Sequence, residues 1–215
     1  MKEYEYILFD LDGTITDPKE GITKSVAYAL ESFGIKVEDL DSLCKFIGPP
    51  LKDSFMKFFS FSEEQAELAI KKYREYFSVD GLFENKVYDG IEEMLINLKR
   101  RNKHLIIATS KPEIFAKRIL EHFKLLHYFD FVAGSDLEGT RVSKGDVITY
   151  AFNIASITNK DAVIMVGDRE HDVFGAHANG IECISVLYGY GDRQEHIDAN
   201  TDYIVETVKE LANIL

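Results

Sequence analysis

Cysteine is scarce in this 215-residue chain, which has only Cys44 and Cys183, far apart and without metal-ligand spacing. That excludes a dense disulfide framework and a cysteine-held zinc site. It points to a reducing compartment, with a single disulfide left open. Long apolar runs are missing too. The N-terminus, Met1-Lys2-Glu3-Tyr4-Glu5, is charged, and no apolar segment behind it has the length of a signal peptide or a spanning helix. The cytoplasm is therefore the expected location, with no membrane partner. Positive charge is in short supply: 25 Lys and Arg stand against 37 Asp and Glu, a net charge of −12. Such a balance disfavours a nucleic acid polymer or an anionic membrane as partner. Internal repeats and low-complexity tracts are absent. Hydrophobic residues are plentiful, at 46%, enough for a sizeable core without staples. The length fits one large domain, or a core with a small inserted one.

Apolar runs of strand length recur at Tyr6–Phe9, Leu105–Ala108, Phe131–Ala133, Ala162–Val166, Cys183–Val186 and Tyr203–Val205. From Leu105 onward, helical segments mostly separate them. Short continuous apolar runs suit strands covered on both faces, and their alternation with helices predicts a parallel α/β sheet. Between Pro18 and about Tyr88 the pattern is helical, with no convincing strand. Pro18 opens a helix that runs to about Phe33 and stops at Gly34. Ser62 and Gln65 form a capping-box signature, after which Ala66, Ala69, Ile70, Tyr73 and Phe77 share one helical stripe. Phe55, Phe58, Phe59 and Phe61 read as the core of this helical segment rather than as a ligand surface. The expected organisation is an α/β core of residues 1–15 and 89–215, interrupted by a helical insert over 16–88. Hinges fall near 15–18 and 86–90.

Chemistry concentrates where strands end. Asp10-Leu11-Asp12-Gly13-Thr14 follows the first apolar run. On a strand of period two, both carboxylates point the same way. Paired like charges call for a cation, a shared proton, or both. Gly13 permits a sharp turn. The arrangement suits a carboxylate nucleophile with an acid/base neighbour and a bound metal. A plain strand followed by an Asp-Gly turn fits this segment equally well. Thr109-Ser110-Lys111-Pro112 sits at a strand-to-helix junction, where hydroxyls and free N–H groups suit an anion. An N-cap with a first-turn proline is as good a local reading. Lys144 precedes another helix, where a solvated surface charge is the ordinary expectation. Gly167-Asp168-Arg169-Glu170-His171-Asp172 is a second acidic pair at a strand end. Asp10, Asp12 and Asp168 could converge on a hard cation such as Mg²⁺. A helix cap with an acidic first turn is the alternative. Gly189-Tyr190-Gly191 reads as a loop near the site. His171 lies beside carboxylates but lacks a Ser or Cys nucleophile, so it is assigned no catalytic role.

In this order, these segments resemble the four motifs of the haloacid dehalogenase superfamily of phosphohydrolases. Asp10 to Thr14 resembles the first motif, Thr109 the second, Lys144 the third, and Gly167-Asp168 through Asp172 the fourth. Relatives often carry a proline after the third-motif lysine; here it is Gly145. The segment after Thr14 is similar to the helical cap inserted in that superfamily. Ile47-Gly48-Pro49-Pro50-Leu51, Thr109-Ser110-Lys111-Pro112 and Gly189-Tyr190-Gly191 resemble the phosphoglycolate phosphatase-like branch. The resemblance implies an α/β fold with a Rossmann-like parallel sheet and a helical cap. It implies Asp10 as nucleophile and Asp12 as acid and base. Mg²⁺ would be held by Asp10, the Asp12 backbone carbonyl and Asp168, with Asp172 either touching the ion or orienting the groups that do. Thr109, the Ser110 N–H and Lys144 would hold the phosphoryl group of a small phosphorylated metabolite. A phosphomutase, or a non-catalytic phospholigand-binding protein on the same scaffold, stands as the alternative. A dehalogenase would need neither the acid at position 12 nor the 168–172 pair.

Overall fold

A computed structural model describes residues 2–137 and 140–215. In chain order, the first half carries β1 (Tyr6–Phe9), β2 (Thr16–Asp17), α1 (Lys19–Glu31), α2 (Leu51–Phe59), α3 (Glu63–Tyr76), β3 (Lys86–Val87) and α4 (Ile91–Arg100). Next come β4 (His104–Pro112), α5 (Glu113–His122), β5 (Phe131–Ser135), α6 (Lys144–Ile154) and β6 (Val163–Gly167). The chain closes with α7 (Glu170–Ala178), β7 (Glu182–Val186), α8 (Arg193–Asp198), β8 (Tyr203–Val205) and α9 (Val208–Ile214). No helix among the described residues is long and apolar enough to cross a membrane. The chain divides into two compact units, one of residues 1–17 with 87–215 and one of residues 18–86.

The larger unit is built on a six-stranded sheet in the order β5-β4-β1-β6-β7-β8, with every neighbouring pair parallel. This is the parallel α/β core expected from the alternating apolar runs. Leu8, Ile106 and Met165 pack on one face with Val147, Ile148 and Val173 of α6 and α7. Strand alternation turns Ile7, Phe9 and Ile107 to the other face, where α5 lies over β4 and β5. Ile7, Leu8 and Phe9 are fully buried, each contributing roughly 1.5–3 kcal/mol. That anchors β1 firmly enough to carry costly charges at its end. Phe9 pairs with Ile107 on one side and Val166 on the other. The sheet thus grows in opposite directions from β1, and the strand ends leading to Asp10, Thr109 and Asp168 open on one edge. Ligands of open α/β sheets bind at such a reversal point.

The unit of residues 18–86 is helical. α1 packs on α3, and α3 on α2. The capping box at α3 forms: the Gln65 N–H donates to Ser62 Oγ at 3.2 Å, and the Ser62 N–H donates to Gln65 Oε1 at 2.9 Å. Phe46, Phe55 and Phe61 are buried, whereas Phe58 and Phe59 are only half-buried, with the Lys45 ammonium 4.6 Å from the centre of the Phe58 ring. The phenylalanine cluster is therefore core on one side and surface on the other. One element departs from the sequence reading. β3 is a short strand in a stretch that shows only helical signals, and it pairs with β2 in a separate two-stranded sheet. Two-residue strands leave no apolar periodicity to read.

Asp130 ties several elements of the larger unit. Its carboxylate accepts from Lys99 Nζ at 2.8 Å and from the Leu105 N–H at 3.1 Å, and lies 3.1 Å from His104 Nδ1. Burial pulls its pKa up, but these partners outweigh burial and hold it below the usual carboxylate value. A depressed folded pKa adds stability above the unfolded pKa of about 3.9, and that stability is lost as pH falls through the folded pKa. Asp130→Asn is expected to cost about 1 kcal/mol near neutral pH, since the site is partly exposed. Urea midpoints measured down to pH 2 should show the gap from wild type closing below about pH 4. A gap that persists at pH 2 would contradict the assignment.

Candidate active site

β1 ends at Phe9, so Asp10 to Asp12 lie beyond the strand, where strand alternation no longer points the two carboxylates the same way. The chain turns at once: the N–H groups of Thr14, Ile15 and Thr16 all converge on the Leu11 carbonyl. Gly13 takes a positive φ of 85°, and a Cβ there would fall 2.0 Å from Asp168 Oδ2. Only glycine satisfies both demands. The two carboxylates consequently meet different cations.

Lys144, the first residue of α6, is buried. Its ammonium lies 2.7 Å from Asp10 Oδ1 and 2.8 Å from Asp172 Oδ1, and donates to the Ala108 carbonyl at 2.9 Å. The expectation of a solvated surface lysine gives way to a buried charge hub. Burial works against the ammonium, but Asp10 and Asp172 outweigh it and raise its pKa. α6 approaches α7 closely enough for this because residue 175 is glycine; a Cβ there would fall 2.7 Å from Lys144 Cγ.

Asp12 Oδ2 pairs with Lys111 Nζ at 2.8 Å. Asp12 Oδ1 is buried and has no partner among the described residues. Burial raises the Asp12 pKa, with Lys111 pulling the other way. Lys111 had no role in the sequence reading. β4 continues to Pro112 instead of stopping at Ala108, with its register shifted between Thr109 and Pro112. Bulges re-aim side chains, and Lys111 sits inside this one. Thr109 is buried, and its Oγ1 accepts from the Lys111 N–H at 3.3 Å; Ser110 is half-buried.

Asp168 follows β6, and Asp172 lies in the first turn of α7. Asp10, Asp168 and Asp172 each offer an oxygen, all within 4.8 Å of one another. The Asp12 carboxylate is outside this group, a correction to the convergence of Asp10, Asp12 and Asp168 drawn from spacing. Helix capping explains part of the second pair: Asp172 Oδ2 accepts from the Arg169 N–H at 3.1 Å. It does not explain Asp168, which precedes the cap residue and is fully buried. Burial pushes the Asp168 pKa well above the usual range, with Asp172 and Asp10 adding repulsion. Burial also lifts Asp172 to about 6, against the pull of Lys144. Asp168 Oδ1 has no partner among the described residues. Three buried carboxylates, one with an orphaned oxygen, form an oxygen-only donor set that fits a hard divalent cation.

The Gly189-Tyr190-Gly191 loop closes over Asp168. The Tyr190 N–H donates to Asp168 Oδ2 at 2.8 Å, and the Gly191 N–H to the Asp168 carbonyl at 3.0 Å. The Tyr190 hydroxyl donates to Asp17, and the Tyr188 hydroxyl to the Thr14 carbonyl at 3.0 Å. Glu195 also escaped sequence reading; it accepts from Arg169 Nε at 2.9 Å and from the Glu170 N–H at 2.8 Å. A lone glutamate on a short helix carries no signal for that role. His171 remains outside the carboxylate group, and burial lowers its pKa.

Known proteins resemble this chain over most of its length. Residues 7–186 match the family described as haloacid dehalogenase-like hydrolase. A 5'-nucleotidase of Pseudomonas aeruginosa is 47% identical over 192 residues, 89% of this chain and 86% of that one. Tyrosine-protein kinase PtkA of Mycobacterium tuberculosis is 38% identical over 215 residues, 98% of this chain and 72% of that one. The crystal structure of a predicted phosphatase from Clostridium acetobutylicum superposes with a TM-score of 0.96 at 55% identity, covering 99% of this chain and 98% of that one.

Lys144→Met would leave Asp10 and Asp172 buried together without their cation. Losing one partner of a buried pair typically costs about 3–5 kcal/mol. Denaturant unfolding at neutral pH, in buffer free of divalent ions, should show a loss of that order. An unchanged midpoint would rule out Lys144 as the charge hub.

Proposed function

Because the chain belongs to the haloacid dehalogenase-like hydrolase family and is a phosphatase of that family, we propose that it hydrolyses small-molecule phosphate monoesters through Asp10, with Mg²⁺ as cofactor. The carrying observation is the division among the buried carboxylates. Asp10 stands with Lys144, Asp168 and Asp172. Asp12, two residues on, is drawn aside by Lys111 with one oxygen free.

In this reading a carboxylate oxygen of Asp10 forms a bond to phosphorus as the bond to the ester oxygen breaks. The proton on Asp12 passes to the departing oxygen, so the product leaves as a neutral alcohol. The raised pKa of Asp12 suits it to carry that proton. Asp12, now a carboxylate, takes a proton from water. The water oxygen bonds to phosphorus, the acyl phosphate bond breaks, and Asp10 returns with release of inorganic phosphate. Lys144, Thr109 and the Ser110 N–H hold the phosphoryl oxygens as charge develops. The carboxylates of Asp10, Asp168 and Asp172, with the Asp12 carbonyl, would hold Mg²⁺, which supplies positive charge against the repulsion between nucleophile and phosphate. The helical unit of residues 18–86 serves as a cap that excludes water and reads the leaving group. The 5'-nucleotidase relative favours a nucleoside 5'-monophosphate as substrate, with phosphoglycolate next.

Asp10→Asn is expected to abolish turnover with little loss of fold, since the side chain keeps its size. Mass spectrometry of rapidly quenched wild type should find a phosphate adduct on Asp10, and oxygen from labelled water should enter released phosphate. Isomerised sugar phosphate would indicate a mutase, and phosphate retained on tyrosine would indicate a kinase. Turnover that survives Asp10→Asn would overturn the mechanism. For the metal, titration calorimetry on EDTA-stripped protein should show Mg²⁺ binding that Asp168→Ala weakens at least tenfold, roughly the size seen when metal-site groups are lost. If Asp168→Ala changes only thermal stability, the metal assignment fails.

A further inference from the structure

We propose that Lys111 is a positioning residue that makes Asp12 a one-sided acid, holding Oδ2 so that Oδ1 alone transfers the proton. This inference rests on the phosphatase reading above. A carboxyl group has two equivalent oxygens until one is engaged. Here the ammonium of Lys111 engages Oδ2 at 2.8 Å, and both side chains are nearly inaccessible, 5% and 11% exposed. Oδ1 is buried and unpartnered. An ammonium in contact with one oxygen repels a proton there, so the proton resides on the other. The same contact fixes the rotation of the side chain, which would otherwise be free about Cα–Cβ.

The backbone is built to deliver this contact. A regular strand would alternate Ser110 and Lys111 to opposite faces. The register shift between Thr109 and Pro112 breaks that alternation where Lys111 emerges, and Thr109 Oγ1 holds the Lys111 N–H. A lysine serving only as a structural staple has no need of an irregular strand or of a carboxylate left half-satisfied. A buried pair is a poor source of stability, and a half-satisfied one is poorer still.

The leaving group provides the test. An alkoxide departs poorly without a proton, whereas p-nitrophenolate departs readily without one. kcat/KM reports the steps through loss of the leaving group, so it isolates the acid role of Asp12 from its later role as base. Wild type is assayed with Mg²⁺ on p-nitrophenyl phosphate, adenosine 5'-monophosphate and phosphoglycolate. If wild type hydrolyses none of these, the phosphatase reading fails and the proposal falls with it. If it hydrolyses them, Lys111→Met should lower kcat/KM for the alkyl ester that is turned over faster by about 10²-fold, the lower end of general acid effects. The loss for p-nitrophenyl phosphate should be at least tenfold smaller. This ratio does not depend on the fraction of folded protein. Equal losses on both esters would assign Lys111 a structural or phosphate-binding role and overturn the proposal, while leaving the phosphatase reading intact. Should Lys111→Met fail to fold, Asp12→Asn and Asp12→Asn/Lys111→Met give the answer without a buried unpaired carboxylate. Adding Lys111→Met to Asp12→Asn should change kcat/KM for the alkyl ester less than threefold, and a further tenfold loss would overturn the proposal.

Discussion

The buried ammonium of Lys144 is the charge on which the centre depends. It reaches Asp10 after β1, Asp172 at the start of α7 and the Ala108 carbonyl in β4. One cation thus fastens three elements that meet only through the tertiary fold. Without it, Asp10, Asp168 and Asp172 would be three carboxylates in a low-dielectric pocket, and the simplest relief would be protonation. The lysine offsets the repulsion among these carboxylates, and the cost of burying it is carried by the apolar sheet beneath.

A second cation, Lys111, divides the acidic residues into two groups. Asp10, Asp168 and Asp172 share one region, and Asp12 is drawn to another. Opposite environments for neighbouring carboxylates are how one site assigns different tasks to identical side chains. The separation depends on where β1 stops. If the strand continued through Asp12, both carboxylates would face the same cations; the turn after Asp10, with Gly13 at its centre, prevents this.

Much of this was legible in the sequence. The six sheet strands were visible as apolar runs, because strands buried on both faces have no polar alternation to confuse them. The capping box at Ser62 was visible because its chemistry is local. Asp10, Asp168, Asp172 and Lys144 stood out as charges at element ends. What could not be read was pairing. Lys144 looks like a surface lysine until α6 is laid on α7 across Gly175. Lys111 is hidden because a bulge changes the face of a strand without changing its composition. Tyr190 acts on Asp168 through its backbone N–H, a group every residue but proline carries.

The glycines around Asp168 and Asp172 have a consequence for how the protein can change over time. A methyl group at residue 13 or 189 would come within 2.5 Å of Asp168 Oδ2, and one at residue 167 would overlap Asp172 Cγ. The centre has no slack into which even the smallest side chain could be admitted. Substitution at these three glycines is therefore opposed by volume. Residues 18–86 carry the same volume constraint, since a Cβ at Gly21 would fall 1.9 Å from the Gly81 carbonyl oxygen. Close packing around these glycines therefore limits substitution by volume in both units.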